Sequence, residues 1–142
     1  MTTTIPFGAQ LVGRTEKALN AILGRTLAGR GITEPQWVAL TLTVTAGGAD
    51  PAGLVAEALR VPEAVARERL GELALADLVR LEPGRPAEAT ARGRDLWQAV
   101  RGETGRIADD LWGDLPAGDR DAAARVLNVV LARAGAVLSA DR

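Results

Sequence analysis

Apolar residues recur at helical spacing over most of this chain and give way to alternation in one place. From Phe7 to Ala28 they fall at Leu11, Val12, Ala18, Leu19, Ile22, Leu23 and Leu27. That spacing predicts a long first helix with a broad apolar face, ended by Gly29 and Gly31. Residues 1–6, with three threonines ahead of Ile5 and Pro6, read as frayed. The second helix is predicted over Glu34–Thr45. Thr33 is its N-cap, Pro35 lies in its first turn, and Gln36 completes a capping box. Trp37, Leu40 and Val44 share one side of it, and Gly47-Gly48 ends it. Asp50-Pro51 opens a third helix, with Leu54, Val55, Ala58 and Leu59 as its buried residues. Pro62 opens a fourth, running to about Ala76.

The stretch Val55–Val79 organises the rest. Two short helices meet there at a tight turn, Arg60-Val61-Pro62. Val55 and Ala56 offer an apolar and a small position early in the first helix, where a second helix packs across. Leu59 and Val61 straddle the turn, and Ala66, Leu70 and Leu73 turn the second helix to the core. This is the pattern of a helix-turn-helix, whose other face is free to enter a major groove. The period then changes. Leu78–Glu82 alternates and reads as a strand, Pro83–Pro86 is a turn, and Ala87–Thr90 is the returning strand. Three helices followed by a hairpin give the order of a winged helix.

Two more helices follow, Ala91–Gly113 and Asp119–Ala140, parted by a break at Asp114–Gly118 that contains Pro116. The predicted class is mainly α (α+β): a winged helix-turn-helix with long N- and C-terminal helices. Residues 34–90 form the lobe, and residues 7–28 and 91–140 the dimerisation helices of one chain, 1–142. The terminal helices carry more apolar surface than a small winged lobe can cover. A symmetric homodimer covers it most economically.

Composition narrows the chemistry. The chain has 142 residues, room for one cored domain. It contains no Cys and no His. Disulfides, thiolate nucleophiles, the usual zinc sites and a His general base are thereby removed. The remaining carboxylates and hydroxyls form no catalytic pattern. The reading is therefore not an enzyme, with no catalytic residues, no metal and no cofactor. No apolar run is expected to reach membrane-spanning length, since Arg133 interrupts Val126–Val137. The N-terminus has no signal-like core, so no membrane partner and a cytoplasmic location are expected. Net charge is −1 with a pI near 5.5. Any affinity for nucleic acid must then come from a local patch.

Three stretches carry a resemblance to a known family. Gly31–Leu40 looks like "(G)-L-T-x-x-Q-W-x-x-L". Val55–Val61 with Leu73–Val79 looks like "L-A-x-x-L-x-V" followed by "L-E-x-x-G-L-V". Ala89–Gly93 looks like "L-T-x-x-G". In this order the chain resembles the MarR family of bacterial transcriptional regulators over nearly its whole length. The resemblance implies a homodimeric winged-helix repressor of pseudo-palindromic operator DNA. It also implies release by a small aromatic or phenolic effector held between the dimerisation helices and the lobe. Three departures stand out. Asp77 replaces the usual Gly, the wing is shortened to Glu82–Pro86, and Pro62, Glu63, Ala64 and Val65 replace the usual Ser and Thr.

The expected DNA-binding residues are Arg60, Glu63, Ala64, Arg67, Arg69 and Arg85. Arg67 is the candidate base reader, because its fork matches guanine O6 and N7. The alternative is a surface arginine paired with Glu63 or Glu68. Arg60 suits a phosphate, Arg85 a minor groove, and Arg69 either backbone contact or cover of apolar surface. Phe7, Leu11 and Trp37 are candidates for a ligand pocket beneath the lobe, with core packing as the plainer reading of Phe7 and Trp37. From Val55 to Arg94, seven arginines balance seven carboxylates. This neutrality sustains an alternative: a degenerate winged-helix dimer that serves as a protein-interaction or ligand-sequestering module.

Overall fold

The computed structural model describes residues 4–140, so the fraying read for residues 1–3 lies outside the described residues. The chain divides into two compact units, parted between Thr104 and Gly105.

The first unit holds α1 (Ala9–Ala28), α2 (Glu34–Thr45), α3 (Ala52–Leu59), α4 (Glu63–Leu75), β1 (Val79–Arg80), β2 (Glu88–Ala89) and the start of α5 (Ala91–Ala108). Helix α2 is the hub, in contact with α1, α3, α4 and β2. Its bounds follow from its capping box. Gln36 N–H donates to Thr33 Oγ1 at 3.3 Å, and Thr33 N–H donates to Gln36 Oε1 at 3.0 Å. A helix packed on several sides needs more than one apolar stripe. Ala39, Leu40 and Thr43 are buried, and Trp37, Leu42 and Val44 pack around them. The single side read from Trp37, Leu40 and Val44 was too narrow. Thr43 is tolerated there because its hydroxyl donates to Ala39 O at 2.7 Å.

Helix α3 differs from expectation in the face it buries. Ala52 and Val55 are buried, and Ala56 and Leu59 pack on the core, whereas Leu54 and Ala58 are exposed. Positions 52, 55, 56 and 59 form one helical stripe, and 54 and 58 lie beside it. Helix α4 buries Ala66, Leu70 and Leu73, as its pattern predicts. Helix α1 starts two residues later than predicted, with Gly8 as an N-cap that offers no side-chain bond. Its one fully buried residue is Leu27, while Val12 and Leu19 stay exposed.

The wing is a two-stranded antiparallel ladder with Val79 opposite Ala89 and Arg80 opposite Glu88. Its tip is a type II turn. Pro83 occupies the second position, Gly84 the third at φ 76°, and Arg85 N–H closes the turn on Glu82 O at 3.1 Å. Thr90 then starts α5. Its hydroxyl accepts the Gly93 N–H at 3.0 Å and donates to Asp77 O at 2.6 Å. Gly93 lies directly over the Leu78 carbonyl, so a side chain there has no room. The Thr-x-x-Gly spacing thus fixes α5 to the corner between α4 and β1. Further along α5, Val100 is buried. Trp97 Nε1 donates to Thr41 Oγ1 on α2 at 3.2 Å, and the Arg101 guanidinium lies 5.1 Å from the Trp97 ring centre.

The second unit holds the end of α5, a five-residue π-helical turn (Asp109–Gly113) where the pattern predicts ordinary helix, and α6 (Ala117–Ala140). No residue of α6 is buried, and Val126, Leu127, Val130 and Val137 stand open. Contrary to expectation, one helix does reach membrane-spanning length. By length and composition α6 suffices, with a mean hydropathy of 1.4 over an 18-residue window. Arg133 does not break it because flanking Val and Leu outweigh one charge in the average. Arg120, Arg125 and Arg133 all lie on this helix.

Candidate nucleic-acid interface

Two Schellman closures shape the site. Helix α3 ends at Arg60, whose backbone is left-handed at φ 57°. Arg60 N–H reaches Glu57 O at 3.3 Å and Val61 N–H reaches Ala56 O at 3.0 Å. The chain reverses over Val61 and Pro62, and α4 sets off with Glu63, Ala64 and Arg67 exposed. Helix α4 ends in the same way. Asp77, at φ 63°, donates to Ala74 O at 3.0 Å, and Leu78 N–H donates to Leu73 O at 2.9 Å. Asp77 therefore adopts the left-handed turn expected where the family has Gly. Short polar residues bear that conformation better than most, and the long Arg60 has less reason to.

Between α4 and the wing lies an open cleft of about 470 Å³ lined by Asp50, Arg67, Leu70, Leu81, Glu82, Pro83, Gly84, Arg85 and Ala87. It brings together two of the expected residues, Arg67 and Arg85, from elements distant in sequence. Each is accompanied by carboxylate. Arg67 Nη2 lies 2.7 Å from Glu63 Oε1 and 3.2 Å from Asp50 Oδ2. The Glu63 hydrogen bond, and after it the Asp50 bond, hold the Arg67 guanidinium above its ordinary pKa. Arg85, at the tip and 78% exposed, lies 3.7 Å from Glu82.

The remaining expected residues are placed elsewhere. Arg60 sits exposed in the turn, with no ion pair among the described residues. Arg69 is about 200° round α4 from Arg67. Its Nη2 meets Glu72 at 3.1 Å and Glu68 at 3.3 Å, and its Nε is buried without a partner. Glu72 also accepts from Gln36 Nε2 at 3.1 Å, so Arg69 belongs to a network that ties α4 to the start of α2. Trp37 packs against the core, whereas Phe7 is 65% exposed. Leu11 is partly exposed on α1, and none of these three residues lines the cleft.

In the sequence Asp50 is recognisable only as a helix-start residue. The N-cap position itself falls to Pro51, and Asp50, one residue before it, accepts the Ala52 N–H through Oδ1 at 3.2 Å. Its second oxygen reaches Arg67, 17 residues on, and that contact exists only once α3 and α4 have packed. The Asp-Pro helix start was the sole sequence signal for it.

No family model matches the chain, and no curated protein matches it in sequence. Solved structures do match. The chain is similar to CouR from Rhodococcus jostii RHA1, a structure bound to p-coumaroyl-CoA, with TM-score 0.74 at 18% identity over 84% of this chain and 88% of that one. It is similar to the Mycobacterium tuberculosis MarR family protein Rv2887 in complex with salicylic acid, with TM-score 0.64 at 25% identity over 89% and 98%. It is also similar to the reduced form of MarR from E. coli, with TM-score 0.69 at 20% identity over 91% and 96%. The chain has the MarR winged-helix fold, in agreement with the resemblance carried by its three sequence stretches.

Proposed function

We propose that this chain is a DNA-binding transcriptional regulator of the MarR type, not an enzyme. It acts as a repressor in the cytoplasm. A homodimer binds pseudo-palindromic operator DNA, with α4 in the major groove and the wing tip on the minor groove. The observation that carries this reading is the cleft between α4 and the wing, lined by Arg67 from the helix-turn-helix and Arg85 from the wing tip. Arg67 reads a base edge, Arg85 enters the minor groove, and Arg60 holds a phosphate at the turn. Glu63 and Ala64 share the exposed start of α4. The uncovered apolar residues of α1 and α6 support dimerisation through the terminal helices.

A small aromatic effector releases the DNA. Support for this comes from the salicylic acid and p-coumaroyl-CoA in the structures of similar fold. Phe7, Leu11 and Trp37 are the aromatic and apolar residues this chain offers for such a ligand. The test is retention of duplex DNA taken from upstream of the chain's own gene, at low salt, against random duplex. Preferential retention supports the reading, and equal retention of both sinks it.

A second reading has one specific observation in its favour. The lobe is formally neutral, and its exposed recognition arginine is already paired with two carboxylates. On that reading the dimer has lost DNA reading and sequesters a protein or a ligand instead. Binding of a small aromatic acid with no duplex retained at any salt would favour it.

A further inference from the structure

The carboxylates around Arg67 are arranged to do more than solvate it. A guanidinium offers its five N–H donors as two forks, and Nη2 belongs to both. Here Nη2 donates to Glu63 Oε1 and to Asp50 Oδ2, so both of its hydrogens are engaged. Neither fork is complete. A guanine edge requires a complete one, since O6 and N7 are read together. Arg67 therefore cannot engage a base bidentately until a carboxylate lets go.

Charge acts in the same direction. One cation with two carboxylates presents net negative charge where phosphates would approach. The pairs are still openable, because all three side chains are more than half exposed: 57% for Arg67, 51% for Asp50 and 57% for Glu63. Exposed pairs are weak and screened by salt. Asp50 differs from an ordinary surface partner in being anchored. Its other oxygen accepts the Ala52 N–H, which holds the carboxylate at the start of α3.

Resting on the DNA-binding reading above, we infer that Asp50 and Glu63 form an intramolecular latch on Arg67 that competes with DNA and sets specificity. On random duplex the arginine gains one phosphate contact, which does not replace two carboxylates. On the operator it gains a base edge that takes a complete fork, and the exchange goes forward. The latch thus suppresses non-specific binding in a lobe with little charge to spare. Asp50 is the specificity-determining residue because it alone of the pair is fixed by a second element.

Asp50→Asn isolates this role, since the amide oxygen can still accept the Ala52 N–H. Affinity is measured for the upstream duplex and for random duplex across a salt series. The latch predicts tighter random binding, with a salt slope steeper by about 1.8, one phosphate contact from each protomer of the dimer. It also predicts that the operator-to-random ratio falls severalfold. In an Arg67→Ala background, Asp50→Asn should have no such effect. An equal gain in that background would overturn the proposal, because the effect would then be general charge. Weaker operator binding with no gain on random duplex would overturn it too, because Asp50 would only be positioning Arg67.

Nitrogen NMR of the Arg67 side chain supplies an arm free of DNA. Hindered Nη rotation is expected in the wild type and release in the Asp50→Asn, Glu63→Gln double variant. Free rotation in the wild type overturns the latch while leaving the DNA-binding reading intact. If no variant retains any duplex, the latch falls together with that reading.

Discussion

Replacing Gly93 by Ala places a methyl group against backbone that has nowhere to go. An ideal Cβ on Gly93 lies 2.0 Å from the Leu78 carbonyl oxygen, 2.9 Å from its carbonyl carbon and 3.3 Å from its Cα. Carbon-to-oxygen contacts settle near about 3.3 Å, so α5 must withdraw from Leu78 by more than about 1 Å. That movement strains two bonds at the corner: Thr90 N–H to Leu78 O at 3.1 Å, and Thr90 Oγ1 to Asp77 O at 2.6 Å. Each is worth about 1 kcal/mol net. It also loosens the packing of Leu78 and Val79, 4% and 3% exposed, where overpacking costs about 1–3 kcal/mol. The expected loss is about 3–5 kcal/mol, a large share of a typical stability of roughly 5–15 kcal/mol. At a few degrees per kcal/mol, the melting temperature should fall by about 10 °C or more. Urea and thermal unfolding followed by circular dichroism, at equal protomer concentration, measure this directly. Gly71→Ala is the control. It lies inside α4 with nothing within 4 Å of its Cβ, and should stabilise by about 0.5–1 kcal/mol. A Gly93→Ala protein within about 1 kcal/mol of wild type would refute the close-approach argument.

The other expectations concern the turns and the arginines. Arg60→Gly should raise stability by up to about 1 kcal/mol in urea titrations, since only the glycine is at ease at φ 57°. The same variant should weaken duplex binding if the arginine holds a phosphate. Thr90→Val should cost about 1–2 kcal/mol, because it removes both the α5 cap and the tie to Asp77. In duplex-binding assays Arg67→Ala should lose discrimination between operator and random DNA, whereas Arg85→Ala should weaken both more evenly. Identical effects of Arg67→Ala on the two duplexes would remove its base-reading role.

Local chemistry was the legible part of this chain. The capping box at Thr33 and Gln36 fixed both the existence and the start of α2, because its partners are three residues apart. Pro83-Gly84 gave the wing turn for the same reason. The buried face of α4 was readable from Ala66, Leu70 and Leu73 because one side of it meets the core. Contacts set by distant residues were not readable. Helix α2 is surrounded, so no single stripe described it. Leu54 looked like core by composition and points away from it. Arg69 was expected to contact DNA backbone or to cover apolar surface, and its ion pair with Glu72, which also binds Gln36 of α2, was not visible in the pattern. Asp50 meets Arg67 only through the packing of α3 on α4. The candidate site was thus legible as an element, and its electrostatic balance was not.

The proposed function requires α4 to read a DNA sequence in the major groove. The most direct measurement is to capture sheared genomic fragments on the purified protein and to sequence what is retained. A few regions that share an inverted repeat should be enriched, and that enrichment should be lost in Arg67→Ala. Retained fragments that match the input, with no common motif, would contradict it.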